Sequence, residues 1–259
     1  MDIYTMQERT IELRFRDRLS LNIQRFIGWS TFPFWGTLLI WLMRVYGRYR
    51  IPHLPEIRKR YREFVRTTKG PVLVCANHLT LIDSAIINWS LSSLWSYMPS
   101  YKTFPWNMPD RKLSHGNIIF RLLCYLGSCI PVDRLGDRGD VKNSLDKVTY
   151  VMKKGHAVTI FPEGTRSRSG RIDPENFSYG VGRLVKMVKD CQVLCVYLRG
   201  YKQEKYGSIP KRGDRFYFDM ALIKPESSFA GLRATRDIAS QIIGQLFQME
   251  QAYFAARGQ

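Results

Sequence analysis

Two short polar blocks, Asn77-His78-Leu79-Thr80-Leu81-Ile82-Asp83 and Phe161-Pro162-Glu163-Gly164-Thr165-Arg166-Ser167, each follow directly on an apolar run of strand character. Val72-Leu73-Val74 precedes the first, and Ala157-Val158-Thr159-Ile160 precedes the second. A parallel sheet presents its ligand sites beyond the carboxyl ends of its strands. The two blocks are therefore expected to face one cleft. The first offers a general base with a carboxylate neighbour. The second sets an acid, two hydroxyls and an arginine around a glycine, which suits a charged ligand group.

The chain around the blocks alternates. Strands are predicted at 71–76, 97–104, 128–132, 156–161, 192–198 and 215–223. Helices are predicted at 84–91, at 117–126 ending with Gly127, at 141–154 with Gly155 as C-cap, and at 179–189. A polar turn, 133–136, follows the third of these strands, and Ile238, Ile242, Leu246 and Phe247 mark a closing helix. Such alternation predicts an α/β fold, a mostly parallel sheet flanked by helices. It would occupy 51–259, with the blocks inside 70–200. A length of 259 residues accommodates one such domain and an appendage.

Charge bears on the partner. Lys and Arg number 40 against 22 Asp and Glu, a formal net charge of +18, and a surplus of this size favours a polyanion. Zinc-finger spacing, a glycine-aromatic RNA signature and a basic stretch running into heptads are all missing, so no nucleic acid is expected. A membrane surface accounts for more. From Phe26 to Met43 no charge occurs, while Trp29, Phe32, Phe34, Trp35 and Trp41 do. Arg25 closes one end, and Arg44, Arg48 and Arg50 the other.

That run falls just short of the ~20 apolar residues that span a bilayer, and Gly28, Pro33 and Gly36 interrupt it. Its tryptophans and basic flanks suit the headgroup boundary. Upstream, Ile11, Phe15, Leu19, Ile23 and Phe26 recur at helical spacing among Arg14, Arg16, Arg18 and Arg25, as in a basic amphipathic helix. Residues 1–50 are thus expected to form a helical membrane-association segment, a hairpin dipping into one leaflet; the alternative is a hairpin packed in the core. A signal peptide is not expected, because the apolar run starts too far in and lacks a clear small-residue cleavage site. Cys75, Cys124, Cys129, Cys191 and Cys195 are odd in number and show no metal or redox spacing. They are read as reduced core residues of a cytosol-facing protein, with no metal site.

His78 and Asp83, five residues apart, would lie about 140° around a regular helix and could not share a face. They meet only if His78 sits in the loop before a helix and Asp83 in its first turns. The carboxylate then fixes the imidazole tautomer and leaves the other nitrogen basic. Asn77 is placed to brace that loop. Pro162 and Gly164 make a tight turn that crowds Glu163, Thr165, Arg166 and Ser167 together. His53, His115 and His156 have no partner pattern and are read as structural; Ser167 and Ser169 are read as local hydrogen-bonders.

With both blocks in place, the chain resembles the glycerolipid acyltransferase family, the lysophosphatidate acyltransferases and their relatives. Its Asn-His-x4-Asp block is met by Asn77, His78 and Asp83, and its Phe-Pro-Glu-Gly-Thr-Arg-Ser block by Phe161 to Ser167 without change. A third block, Ser128-Cys129-Ile130-Pro131-Val132-Asp133-Arg134, keeps the aliphatic residue and Arg134 but replaces the family's glycine and phenylalanine. Val193 to Tyr197 matches the fourth loosely, and Ser178 follows Phe177 where relatives often carry lysine.

The resemblance implies a glycerol-3-phosphate acyltransferase-like fold and an O-acyltransferase. His78 would act as general base and Asp83 as its orienting carboxylate. Asn77, Arg134, Glu163, Gly164, Thr165 and Arg166 would make the acceptor site, with Arg134 and Arg166 gripping phosphate. The implied donor is an acyl thioester, acyl-CoA or acyl-carrier protein, with no bound cofactor. The implied acceptor is a lysophospholipid, foremost 1-acylglycerol-3-phosphate, at a membrane with the site facing the cytoplasm. Alternatives are another lysolipid acceptor such as a lyso-aminolipid, a thioesterase using water, and a non-catalytic basic protein that binds membrane or nucleic acid.

Overall fold

The computed structural model describes residues 13–133 and 136–258. Its centre is a five-stranded sheet in the order β2-β3-β1-β4-β5. The strands are β1 (Val72–Ala76), β2 (Trp106–Asn107), β3 (Val158–Ile160), β4 (Gln192–Gly200) and β5 (Phe216–Ile223). β1 runs parallel to β3 and β4, β2 runs parallel to β3, and only β5 is antiparallel, on the edge beside β4. β1 lies at the middle, with Leu73, Val74, Cys75 and Ala76 all fully buried. Its unbroken apolar run is what a strand covered on both faces requires.

Helices cover the two faces. On one, α7 (Arg138–Lys153), α8 (Gly180–Met187) and α9 (Gly231–Ala255) join β1 and β4 in a core that includes Val148, Met152, Leu184, Ile242 and Leu246. On the other, α2 (Leu54–Thr67) and α3 (Asp83–Leu91) pack through Ile57, Tyr61, Ile86 and Ile87 against Val74 and Val196. The α/β architecture and mostly parallel sheet match the expectation from alternation. All five cysteines are free and four are buried.

Several local expectations are overturned. Residues 97–104 are not a strand: α4 (Leu94–Tyr97) and a 3-10 turn at Tyr101–Thr103 take their place. Tyr97, Tyr101 and Phe104 instead pack with Phe32 in a separate aromatic cluster, so tertiary contacts override β-propensity. Residues 128–132 make only single bridges, Asn107 with Cys129 and Asp110 with Val132. Ser128 has φ +56° and Pro131 offers no N–H, which stops a continuous ladder.

The N-terminal segment is also not a hairpin. α1 (Phe15–Trp41) runs through Pro33 unbroken and continues as a π-helical turn, Leu42–Tyr46. The glycines serve close packing rather than interruption. A Cβ on Gly28 would lie 2.6 Å from the Leu126 carbonyl oxygen at the end of α6 (Ile118–Leu126), and one on Gly36 would lie 2.9 Å from the Phe32 ring. Arg25 is no headgroup contact: it is buried, donating to Ser128 Oγ at 2.8 Å and to the Phe104 carbonyl at 2.8 Å, with its guanidinium 4.1 Å from the Tyr101 ring. Ile11, in the predicted amphipathic pattern, lies outside the described residues. The helix from Phe15 to Tyr46 is long and apolar enough to cross a membrane, and only 22% of its apolar window is buried.

Candidate active site

Chain exit from β1 is fixed by Asn77. Its side-chain Nδ2 donates to the Leu198 carbonyl at 2.9 Å, and its Oδ1 accepts the Leu198 N–H at 2.8 Å. The amide thus extends the β1–β4 pairing by one step and is fully committed there, buried and turned to bracing the loop. His78 follows in that loop, and Asp83 opens α3. His78 Nδ1 and Asp83 Oδ2 are 3.0 Å apart. The five-residue separation closes because the pair straddles a loop-to-helix junction.

Asp83 is held by more than the imidazole. Oδ2 also accepts the backbone N–H groups of Leu79 at 2.6 Å and Thr80 at 2.7 Å, and Oδ1 accepts the Thr80 hydroxyl. These donors, with the positive end of α3, stabilise a carboxylate in a position only 3% exposed. With Nδ1–H directed at this anion, Nε2 keeps a lone pair, and among the described residues nothing bonds it. The Phe161 ring stacks on the imidazole, centroids 4.0 Å apart and planes at 17°, fixing the orientation of that lone pair.

The second block lies against the first. Glu163 Oε1 accepts the backbone N–H of His78 at 2.7 Å. Burial above all pushes the Glu163 carboxyl up to about 8, against the opposing effect of that N–H. Gly164 occupies the turn with φ +74°, a conformation that disfavours any residue with a Cβ. The Ser167 N–H bonds the His78 carbonyl at 2.9 Å. Ser167 and Ser169 hydroxyls reach the Arg171 carbonyl, a local role.

A third segment closes the arrangement. The Gly207 N–H bonds the Leu79 carbonyl at 2.9 Å, and the Leu81 N–H bonds the Ser208 carbonyl at 3.0 Å. Arg166 ties this segment to the second block by donating to the Gly207 carbonyl at 2.9 Å, with its guanidinium 5.6 Å from the Tyr206 ring. Beneath, buried Arg199 of β4 donates to the Gly170, Gln203 and Glu204 carbonyls. Glu250 of α9, 1% exposed, accepts the Ile172 N–H at 3.1 Å and Arg171 Nε at 3.2 Å, and lies 3.9 Å from Arg199 Nη1. Residues 203–208, Arg199 and Glu250 escaped the sequence reading. They carry no motif spacing and contribute by bracing backbone.

A cavity of about 690 Å³ adjoins this constellation. His78, Phe161, Thr165, Arg166, Arg168 and Lys112 border it, and so do apolar residues of α1 and its extension, Phe32, Trp35, Leu39 and Met43. Trp89 of α3 and Phe120, Leu123 and Cys124 of α6 complete the apolar wall. The volume falls within the range of small-molecule sites, about 300–1,000 Å³. One basic nitrogen, several cations and a long apolar wall therefore share one space. Glu163, Gly164 and Asn77 shape it from behind rather than lining it. Arg134 lies outside the described residues. His156, elsewhere, is held neutral, its imidazole lowered to about 3 chiefly by burial.

The family model described as Acyltransferase matches residues 43–199, from the start of the π-helical turn that extends α1 almost to the end of β4. No curated protein matches the chain.

Proposed function

The chain belongs to the phospholipid/glycerol acyltransferase family, and from that premise we propose that it transfers a fatty acyl group from a thioester to the free hydroxyl of a lysophospholipid, foremost 1-acylglycerol-3-phosphate, giving phosphatidate. The observation that carries this reading is the His78–Asp83 pair at 3.0 Å on the border of a cavity whose wall is largely apolar. A base beside an alkyl-sized space is what joining a hydroxyl to a fatty acyl carbonyl needs.

His78 Nε2 takes the proton as the acceptor oxygen attacks the thioester carbonyl carbon. Asp83 holds the tautomer and stabilises the imidazolium that results. The tetrahedral oxyanion then collapses, the carbon–sulfur bond breaks, and the imidazolium returns the proton to the departing thiolate. Ester and free thiol are the products, and no covalent enzyme intermediate forms. General base catalysis of this kind supplies about 10²–10⁴-fold. Positioning by the apolar wall and the bracing loops supplies more.

Arg166 and Arg168 border the cavity next to His78 and suit the phosphate of a lysolipid or of the donor's carrier group. Arg134 joins them in this proposal by motif position. The donor is acyl-CoA or acyl-carrier protein as co-substrate. α1 is proposed to keep the protein on a membrane with the site on the cytoplasmic side, where both apolar substrates are reached. Offering purified protein a panel of lysolipids, with acyl-CoA and with acyl-carrier protein, and weighing the products by mass spectrometry tests the reading. A phosphatidate product is expected. Acylation of a lyso-aminolipid instead would change the acceptor, and release of free fatty acid alone would make the protein a thioesterase. For Arg134→Ala the acceptor KM is expected to rise.

A further inference from the structure

Helix α6 turns its apolar side outward. Ile118, Ile119, Leu122, Leu123 and Tyr125 are all exposed, Ile118 at 75% and Leu122 at 56%, while only Cys124 is buried. A contiguous apolar surface of this kind marks an interaction site.

α1 presents a matching surface. Phe15, Leu19, Ile23, Phe26, Phe34, Leu38 and Trp41 are exposed and, at 100° per residue, fall along one broad stripe. Leu21, Gln24, Arg25, Gly28, Phe32 and Gly36 are buried on the opposite face. The two helices are clasped together. Gln24 Nε2 donates to the Tyr125 carbonyl at 3.1 Å and the Cys129 carbonyl at 3.0 Å, and Gly28 meets the Leu126 carbonyl too closely for any Cβ. α6 therefore moves with α1. The two also share the cavity, α6 through Phe120, Leu123 and Cys124 and α1 through Trp35 and Leu39.

We propose that the outer face of α6 is a second bilayer contact, docking beside α1 into the same anionic leaflet, so that the cavity between them meets the acyl layer. Charge favours this occupant. α6 carries Arg121 and no acidic residue, and Lys112, exposed, precedes it. Anionic headgroups complement such a segment. A second copy docked by its own α6 would bring another Arg121 and no acidic residue of that helix to pair with it. The proposal rests on the reading of α1 as a bilayer anchor.

The test uses the full chain with a nitroxide on one introduced cysteine at a time: Leu122→Cys on α6, Phe34→Cys on α1 and Leu222→Cys, an exposed site on β5. Parent protein supplies the background of its own cysteines, and Ile119→Cys replaces Leu122→Cys should the latter not fold. Accessibility to oxygen and to a water-soluble nickel chelate is read with phosphatidylcholine–phosphatidylglycerol vesicles. Labels at 122 and 34 are expected to gain oxygen and lose nickel contact, with 222 unchanged. A label at 122 that keeps its nickel contact while 34 is protected overturns the α6 proposal and leaves the anchor standing. Nickel contact at both sites overturns the anchor reading and the proposal together. Protection at 122 without vesicles, growing with protein concentration, assigns the face to a second copy and overturns it too. In the same vesicles, Ile119→Ser with Leu122→Ser is expected to weaken partitioning by about tenfold or more.

Discussion

The Asp83 carboxylate meets His78 Nδ1 at 3.0 Å while the same oxygen accepts the N–H groups of Leu79 and Thr80. One anion thus orients the imidazole and ties down the loop that carries it. The two tasks separate by substitution. His78→Ala removes the proposed base and is expected to lower kcat by about 10²–10⁴-fold with the fold intact. Asp83→Asn keeps an oxygen for Nδ1–H, Leu79 and Thr80 but loses the charge that stabilises the imidazolium. Asp83→Ala also frees the loop. Single-turnover rates are therefore expected in the order Asp83→Asn above Asp83→Ala, both below the parent. An Asp83→Asn enzyme as fast as the parent would refute the electrostatic role.

Glu163 links stability to pH. An unfolded carboxyl ionises near 4.5, whereas burial holds the folded one protonated up to about 8. The folded-state pKa is raised, so this contribution is fully present below 4.5 and is lost as pH rises to about 8. Glu163→Gln keeps an oxygen for the His78 N–H and has no proton to lose. Its melting temperature is expected to equal the parent's near pH 4.5 and to exceed it at pH 8.5. For a protein of this size about 1 kcal/mol corresponds to roughly 2–4 °C. Thermal denaturation of both proteins across this range checks it; a constant difference would mean that Glu163 does not titrate as described.

Arg166 touches the cavity with one face and the Gly207 carbonyl with another. Its charge is expected to serve the acceptor phosphate, where a charge-assisted hydrogen bond contributes about 1.5–3 kcal/mol. Arg166→Met should raise the KM for an anionic lysolipid by roughly tenfold to a hundredfold. A neutral monoacylglycerol acceptor should lose less. Equal losses on both acceptors would assign Arg166 to holding the loop alone.

The central sheet was legible because β1 and the Val193–Leu198 stretch of β4 are continuous apolar runs that burial on both faces demands. The meeting of His78 with Asp83 was legible as a loop-to-helix geometry, since the spacing excluded a shared helical face. Residues 97–104 were misread because Tyr97, Tyr101 and Phe104 carry strand propensity yet are recruited by Phe32, more than 60 positions earlier. Pro33 and two glycines pointed to a break in α1. The contact of Gly28 with Leu126, which gives the glycine its purpose, lies far along the chain. Bracing residues such as Arg199 act through main-chain carbonyls, and carbonyls carry no side-chain signature.

Arg199 and Glu250 are the deepest of these braces, 4% and 1% exposed. Arg199 grips the carbonyls of Gly170, Gln203 and Glu204, and Glu250 holds Arg171 and Ile172. Between them they join the two loops that clamp the His78 segment. Removing Arg199 leaves buried Glu250 with only the half-exposed Arg171 as a cationic partner, and removing Glu250 leaves buried Arg199 with carbonyls alone. Either loss costs up to about 3–5 kcal/mol. Arg199→Met and Glu250→Gln are each expected to destabilise the protein to that degree in urea unfolding. The double variant Arg199→Met with Glu250→Leu should cost less than the sum of Arg199→Met and Glu250→Leu, because neither buried ion is left facing an apolar replacement, while Arg171, 45% exposed, keeps its access to water. Amide exchange at Leu79 and Leu81 should quicken in Arg199→Met, with kcat falling although no substrate contact has changed. Strict additivity of the two substitutions, with exchange at Leu79 and Leu81 unaltered, would show that these side chains only fill the core.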